Sequence, residues 1–583
     1  MRTGPGRWKA RPDAVLSVVV PVAALAIMGY RRRWIADDGL INVRIVRNLL
    51  AGHGPVFNAG ERVEAGTSFI WILMLGAAHA VLRVSIESLA VWGGLALSLI
   101  GMTAALLASS ILLRPMPGRR LILPAGGLVV AALPPFWDFA TSGLETGLTL
   151  AWAGLCVLGL VVVAERDRFG PVSLAVAALA GLAPLVRPDL ALIGGVFLVA
   201  LALLEWRGQW RRLGLLVVAG AAVPVLAEIF RLAFFGIVVP NTALAKEASR
   251  PRFGQGRLYL MDAIRPYWLV VPLVAVALVL AIRLWSTPAD RRTRALIVTL
   301  APVVGGLLHA AYVIVIGGDF MSGRLLLPAI FCFVAPAGLV AVPWPATVVD
   351  ARRAIGAGLA AVAIISWAIA CGTSLRLPYK FVGPQGIADE RAFYSELSGH
   401  RHPTHASDYL GTSLGQLAQI GLTLHHEPGR VVCVVINLQC AAPVPRLDPR
   451  WPAHAALFAG NLGVVGAIVP LDIHIVDADG LADPVAGRIE LATRGRPGHE
   501  KSLPLPWVYA RFASAADQAP PPVSPGEAAD ARAALSCDGL AAVDRAVTEH
   551  FSWGRALHNV GGALGNTTLR FSADPATARR QLC

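Results

Sequence analysis

The chain has 583 residues, 55% of them hydrophobic and 15% charged, where a soluble globular chain carries about 25% charged residues. A mean hydropathy of +0.61 points instead to long apolar stretches solvated by lipid, and 58 Gly and 41 Pro scattered without a period exclude collagen-like chains. The formal charge of +14 is no nucleic-acid footprint: residues 1–371 hold 33 Lys and Arg against 18 Asp and Glu (+15), and residues 372–583 hold 18 against 19 (−1). The positive excess belongs to the apolar part, as expected of cytoplasmic loops between membrane helices.

In chain order, a basic N-terminus precedes an apolar run at 14–30, which is followed by Arg31, Arg32 and Arg33 rather than by a small-residue cleavage site. This reads as an uncleaved first membrane helix with a cytoplasmic N-terminus. Further apolar segments lie near 67–82, 89–113, 121–136, 146–164, 171–186, 189–204, 213–235, 267–284, 295–316, 325–342 and 354–371. Several fall short of the roughly 20 residues a straight span needs, which predicts tilted or broken helices. Basic clusters at Arg114/Arg119/Arg120, Arg166/Arg168, Arg207/Arg211/Arg212, Arg291/Arg292/Arg294 and Arg352/Arg353 place those loops in the cytoplasm. Segments 31–66, 137–145, 187–188, 236–266 and 317–324, and everything after 372, are then outside. An even number of crossings must separate 31–66 from 137–145. The 16-residue segment 67–82 is therefore expected not to span, leaving about 11 crossings.

The fold class expected is an α-helical polytopic membrane domain over 1–371 with an extracytoplasmic mixed α/β domain over 372–583, in the plasma membrane. The second region carries charges throughout, with candidate strands at 431–436 and 464–469, a candidate helix at 409–422 and a Pro-rich surface linker at 520–525. Cys156, Cys332 and Cys371 fall in or at the end of apolar segments; Cys433, Cys440, Cys537 and Cys583 fall in the polar region. Four cysteines there fit two disulfides in an oxidising space, Cys433–Cys440 and Cys537–Cys583, with free buried thiols as the alternative.

The first outer loop is the most informative stretch. Asp37 and Asp38 open a segment in which Ile41, Ile45 and Leu49, with Val46 and Leu50, recur at helical spacing, while Arg44, Arg47 and Asn48 share another face. Such a helix can lie on the membrane with its cations toward lipid phosphates. Asp38 fits an N-cap and fits equally a general base held ionised by the helix dipole; a cap needs one acid, and there are two. HExxH, paired CxxC, Walker and GxGxxG patterns do not occur. Trp137, Tyr267, Trp268 and Phe235, at span ends, read as interfacial belt residues.

Asp37-Asp38 after the first membrane helix, the Arg-containing helix and "GHGPVFNAGERVEAGTS" resemble the polyprenyl-phosphate-sugar-dependent glycosyltransferases of the GT-C superfamily. "TSGLETGL" (141–148), "VRPDL" (186–190), "FGIVVPNTALAK" (235–246), "GGDFMSGRLLLP" (317–328) and "GRPGHEKSLPLPW" (495–507) agree. The order of these motifs, from about 34 to 512, is most similar to the mycobacterial and corynebacterial family of terminal β-(1→2)-arabinofuranosyltransferases. The resemblance implies a decaprenyl-phosphoryl-arabinofuranose donor, an arabinan acceptor on arabinogalactan or lipoarabinomannan, and a β-(1→2) linkage. A phosphate leaves without a general acid, so the site needs a base for the acceptor hydroxyl and cations for the phosphate.

Asp37 and Asp38 suit the base. Arg44, Arg187, Lys246 and Arg324, at outer membrane edges, suit the phosphate, with snorkelling as the alternative for each. Lys246 stands out because the chain holds only 4 Lys. Asp319 fits a partner of Arg324, a sugar ligand or a turn residue; Glu145 fits a sugar ligand or a helix-start acid. Asn58, Asn241, His499 and Glu500 complete the sugar and acceptor set, with loop packing as the alternative for His499 and Glu500; Glu61 and Glu64 read as loop acids, with a sugar or metal contact as the alternative, and His53 as a turn residue. A divalent cation at the outer acids is compatible with the sequence and not required by it. A single base with in-line attack inverts, whereas a β donor giving a β product is retention; the sequence leaves the course open. The alternatives are a GT-C transferase of another polyprenyl-phosphate sugar such as mannose, a lipid-linked saccharide transporter, and a non-catalytic glycan-binding scaffold. Transporters of that kind show internal repeats and mid-bilayer charges, which are not found here.

Overall fold

Apolar runs become helices because no other open segment satisfies its own backbone in lipid. The computed structural model describes residues 12–583 except 115–118, 167, 207, 345–346, 459 and 491–492; the basic residues 1–11 and Arg207 lie outside the described residues. Helix α1 (Pro12–Arg31) is the first run, α2 (Asp37–Leu50) the helix expected in the outer loop, and α3 (Phe69–Leu82) and α4 (Ile86–Leu113) follow. The run at 121–136 does not form one helix. It divides into strand β1 (Arg120–Pro124), α5 (Gly126–Ala132) and α6 (Pro134–Phe139), because Pro124, Pro134 and Pro135 lack the amide donors a continuous helix needs. Helix α7 (Thr146–Ala164) crosses α4 along a glycine seam: a Cβ on Gly147 would sit 2.0 Å from the Gly94 carbonyl oxygen.

Helices α8 (Pro171–Gly181), α9 (Ala183–Val186) and α10 (Ala191–Glu205) are interrupted at Arg187 and Pro188. Then come α11 (Trp210–Phe235), the short helices α12 (Asn241–Ala245) and α13 (Phe253–Ile264), α14 (Val270–Ser286), α15 (Ala289–Ile316) and α16 (Leu327–Val334). The run expected as a helix at 325–342 ends in strand β2 (Leu339–Pro343), which pairs antiparallel with β1, Ile122 opposite Ala341. Helix α17 (Val348–Thr373) closes this half. Among the described residues 7 helices are long and apolar enough to cross a membrane, and 69–82, 171–186, 270–286 and 324–337 form shorter apolar helices.

Beyond it lie α18 (Glu390–Ser398), α19 (Ser413–His426), β3 (Val431–Ile436), β4 (Gln439–Cys440), β5 (Ala455–Phe458), α20 (Leu462–Ile468), β6 (Ile473–Val476) and β7 (Ile489–Glu490). Helices α21 (Leu505–Phe512), α22 (Pro525–Ser536), α23 (Asp538–Thr548) and α24 (Trp553–Thr568), strand β8 (Phe571–Ser572) and α25 (Pro575–Leu582) complete the chain. The main sheet has the order β4-β3-β5-β6, with β3, β5 and β6 parallel. The strand expected at 431–436 is β3, and the helix expected at 409–422 is α19, beginning at Ser413. The strand expected at 464–469 is instead α20. A short apolar run has no decisive period, and here it is the crossover that parallel β5 and β6 require.

The Pro-rich stretch at 520–525 leads into α22, which Ser524 caps with Glu527. Cys433–Cys440 joins β3 to β4 and Cys537–Cys583 ties down the last residue, while Cys156, Cys332 and Cys371 are free and buried. Of the expected belt aromatics only Trp268 is exposed; Trp137, Tyr267 and Phe235 are buried. Polar contacts from residues after 372 reach the ends of these helices and shield them, as where the Gly236 carbonyl after Phe235 accepts from Asn566.

Candidate active site

An α-helix turns about 100° per residue, so two adjacent carboxylates at its start face different walls. The Asp37 Oδ1 accepts from the Val464 amide at 2.7 Å and its Oδ2 from the Gly463 amide at 3.1 Å. These are first-turn donors of α20, which have no partner inside their own helix. A Cβ on Gly463 would sit 1.7 Å from the Asp37 carbonyl oxygen, so only glycine admits this approach. At the other end of α20, Arg44 donates to the carbonyls of Gly466 (2.9 Å) and Ile473 (2.6 Å), and Arg47 to that of Ala467 (2.7 Å). Helix α2 therefore meets the dipole of α20 with an acid at its start and arginines at its end.

Asp38 faces open space. Its side chain is 22% exposed, it accepts no hydrogen bond among the described residues, and its nearest cation is the Arg324 Nη1 at 3.9 Å. Burial raises its proton affinity, opposed by Lys246 and Arg324. Ala36, not Asp38, occupies the N-cap of α2, so the capping reading of Asp38 does not hold.

Two cavities meet at Asp38. One, of about 180 Å³, is lined largely from α2, α12 and the segments joining the apolar helices and includes Glu145, Arg187, Asp319 and Arg324. The other, of about 310 Å³, is lined largely from beyond residue 372 and includes Glu390, Tyr394, Asp479, Arg496 and His499. Asp38, Ile41, Lys246 and Leu481 line both.

In the membrane-side cavity the cations are not equivalent. Arg187 forms a bidentate pair with Asp189 (2.7 and 2.6 Å), and Asp189 also meets the His309 Nε2 at 2.6 Å. Arg324 lies 3.2 Å from Glu145 and 3.4 Å from Asp319. Lys246 has no ion-pair partner among the described residues; its ammonium stands 5.8 Å from the Phe320 ring centre. The group left to bind an anion is therefore Lys246, with the unpartnered Nε of Arg324 behind it.

The second cavity is acidic and aromatic. Burial and the charge of Asp479 push Asp477 up to about 7, and burial with the charge of Asp38 pushes Asp479 up to about 6 against Arg496 and Lys246. His499 packs edge-on against Phe320 at 4.7 Å and is pushed down to about 4 by burial and by Arg496 and Lys246. Gly498, at φ +81°, forms the turn that seats this strip on Phe320, where a Cβ would lie 2.2 Å from the ring. Among the described residues no group of three or more His, Cys, Asp or Glu is placed to hold a metal ion.

Residues 449–581 match the family model described as the AftB family C-terminal domain. The terminal β-(1→2)-arabinofuranosyltransferase of Mycobacterium tuberculosis is 38% identical, over 96% of each chain. This chain belongs to that family. The Corynebacterium glutamicum protein of the same name is 33% identical over 94% of this chain and 84% of its own. The crystal structure of ArnT from Cupriavidus metallidurans bound to undecaprenyl phosphate aligns with 80% of this chain and 89% of that one, at 15% identity and a TM-score of 0.39.

In this family member several expected ligands lie elsewhere. Arg44, expected at the phosphate or the lipid surface, is fully buried and spent on backbone carbonyls, and Arg47 is likewise turned away from lipid. Asn58 exchanges hydrogen bonds with the backbone of Ile475, at 2.9 and 3.0 Å, like a strand neighbour. Asn241 holds the Gly480 carbonyl at 2.7 Å and accepts from Arg488. Glu500, pushed up to about 7 by burial, lies 3.7 Å from Arg494 and lines neither cavity. Asp37 lines the second cavity with its carboxylate already engaged. The loop acids Glu61 and Glu64 instead pair with Arg511 and Arg231. Sequence reasoning passed over Asp189, His309, Glu390, Asp477, Asp479 and Arg496. The string "VDADGLAD" after an apolar run was a usable signal for the two acids of the second cavity; Arg496 and Asp189 lie inside the "GRPGHEKSLPLPW" and "VRPDL" motifs, which were their signal, and Glu390 carried none.

Proposed function

We propose that this chain transfers arabinofuranose from a decaprenyl-phosphate donor to the 2-hydroxyl of a terminal arabinose, with Asp38 as the base. The observation that carries this reading is the position of Asp38: a carboxylate that accepts no hydrogen bond among the described residues, where the cavity holding Lys246 and Arg324 meets an acidic, aromatic one. The bond from the anomeric carbon to the phosphate oxygen breaks ahead of attack, the acceptor oxygen bonds to that carbon on the face the phosphate leaves, as a β product from a β donor requires, and Asp38 takes the hydroxyl proton. Lys246 and Arg324 receive the charge that builds on the departing lipid phosphate. The arabinan end lies among Tyr394, Asp479, Arg496 and His499, with aromatic faces for sugar rings and acids for hydroxyls. Residues 1–371 are the membrane catalytic part and 372–583 the outer domain, in the plasma membrane with its basic loops inside.

The test supplies the purified chain in detergent with synthetic decaprenyl-phosphoryl-arabinose and a short arabinan acceptor. A β-(1→2)-linked product is expected; transfer from a mannosyl donor but not from the arabinosyl donor overturns the sugar assignment. Lys246→Met removes the unpaired cation and leaves every ion pair intact. A loss of about 10²–10³ in kcat is expected, the size found on removing one charge-stabilising donor, with an unchanged melting temperature. Wild-type kcat in this variant would remove Lys246 from the phosphate site.

A further inference from the structure

Helix α24 is reversed in polarity for a helix of a water-soluble domain. Ala556, Asn559, Ala563 and Asn566 recur at helical spacing and are buried, whereas Trp553, Leu557, Val560 and Leu564 line the opposite face and are exposed, Trp553 at 89% and Leu557 at 74%. The amide donors of both buried asparagines reach another element: Asn559 Nδ2 donates to the Ala233 carbonyl and Asn566 Nδ2 to that of Gly236, each at 3.0 Å. Those carbonyls belong to the C-terminal end of α11, where no intrahelical donor remains. The Val238 amide donates to Thr567 Oγ1 at 2.9 Å, and the Phe551 ring lies 5.2 Å from that of Phe234. Helix α24 is thus bolted across the end of α11.

The surroundings identify what covers the exposed face. Only 11% of the apolar window of α11 is buried, and Val217, Val218, Val225, Leu226 and Ile229 stand exposed along it, as on a span solvated by lipid. The stripe on α24 stands at the C-terminal end of that helix. Ten large apolar side chains are exposed among the described residues after 372, and five of them fall between Phe551 and Leu564. Within 553–568 there is no Asp, Glu or Lys. A clustered apolar stripe led by a Trp beside the end of a span fits the boundary between headgroups and acyl chains.

We propose that α24 lies in the membrane surface, with Trp553, Leu557, Val560 and Leu564 inserted into the leaflet at the C-terminal end of α11. The polar half of the protein is then held to the bilayer at α24 as well as through the chain leaving α17, which keeps the second cavity at a fixed height above the lipid.

The test uses the full chain with Leu557→Cys, labelled with an environment-sensitive fluorophore, in phosphatidylcholine–phosphatidylglycerol nanodiscs doped with doxyl-labelled lipid. Ala529→Cys, exposed on α22, is the control, and the unsubstituted chain measures labelling of the three buried free cysteines. The expected result is a blue-shifted emission at 557, quenched several-fold more than at 529. Equal quenching at the two positions overturns the proposal and returns α24 to water. A blue shift without lipid quenching, with two chains per disc, also overturns it and assigns the stripe to a second copy.

Discussion

Asp38→Asn is expected to lower transfer by about 10²–10⁴-fold, the range a positioned general base contributes, without unfolding the chain. Asp38 accepts no hydrogen bond among the described residues, and its side chain is partly exposed in a cavity, so the isosteric amide leaves the packing unchanged. The ability to take a proton is lost together with the charge 3.9 Å from Arg324, and donor binding at Lys246 and Arg324 persists. The neighbouring substitution behaves differently. Asp37→Asn weakens the cap on α20, where one oxygen must now serve the amides of both Gly463 and Val464. Loss of such a cap costs about 1 kcal/mol, so a lower melting temperature with most of the activity kept is expected. The pH profile supplies a second readout. Because burial raises the Asp38 carboxyl above its ordinary value of 3.8, kcat/KM rises with pH through a midpoint above that value as the base loses its proton. That limb is absent from the residual rate of Asp38→Asn. Retention of more than about a tenth of the wild-type rate in Asp38→Asn, a loss below what a base supplies, would remove Asp38 from the mechanism.

Arg511→Ala is expected to destabilise the protein by about 3–5 kcal/mol, the cost of stranding buried charge. Arg511 is buried in α21, donating to Glu61 at 2.5 Å, Asp483 at 2.8 Å and Asp544 at 3.3 Å. Three carboxylates would be left without their shared cation, and the space vacated beside Trp451 and Phe512 adds a cavity. Glu61 belongs to the segment that follows α2, so the same change loosens that segment from α21. Activity should fall together with stability, because the walls of the second cavity come from both sides of that junction. Thermal unfolding followed by intrinsic fluorescence, with limited proteolysis of the 51–66 loop, measures both effects. A melting temperature equal to wild type would show that the network is dispensable. Arg511→Lys keeps the charge and loses the fork, so a loss smaller than that of Arg511→Ala is expected.

The membrane helices were legible because lipid admits few backbone solutions: a long apolar run either forms a helix or leaves polar groups unpaired. The same rule explains two failures. The runs at 121–136 and 325–342 are apolar enough to span, yet prolines break them, and β1 and β2 pair with each other across more than two hundred residues of chain. Pairing at that distance leaves no local mark. Strand β3 was legible from its β-branched run, whereas 464–469 was not, because Val-rich strands and short crossover helices share a composition. Parity and compartment implied two disulfides, and the short loop between Cys433 and Cys440 chose the partners, leaving Cys537 to Cys583.

The candidate site divides in the same way. Sequence alone determined that two acids open a helix beside the membrane, that a rare lysine and several arginines stand at the same edge, and which family these motifs resemble. It could not separate Asp37 from Asp38, since both carry the same group at adjacent positions. Their roles diverge only when α20, more than four hundred residues away, places two free amides against one of them. Nor could it tell Arg44 from Lys246: a guanidinium commits itself to whichever carbonyls the fold presents, and Arg44 meets the open end of α20 while Lys246 meets a cavity. Local composition determines which chemistry a chain can offer. Which side chains stay free to perform it depends on what distant segments leave unpaired, and only the tertiary structure decides that.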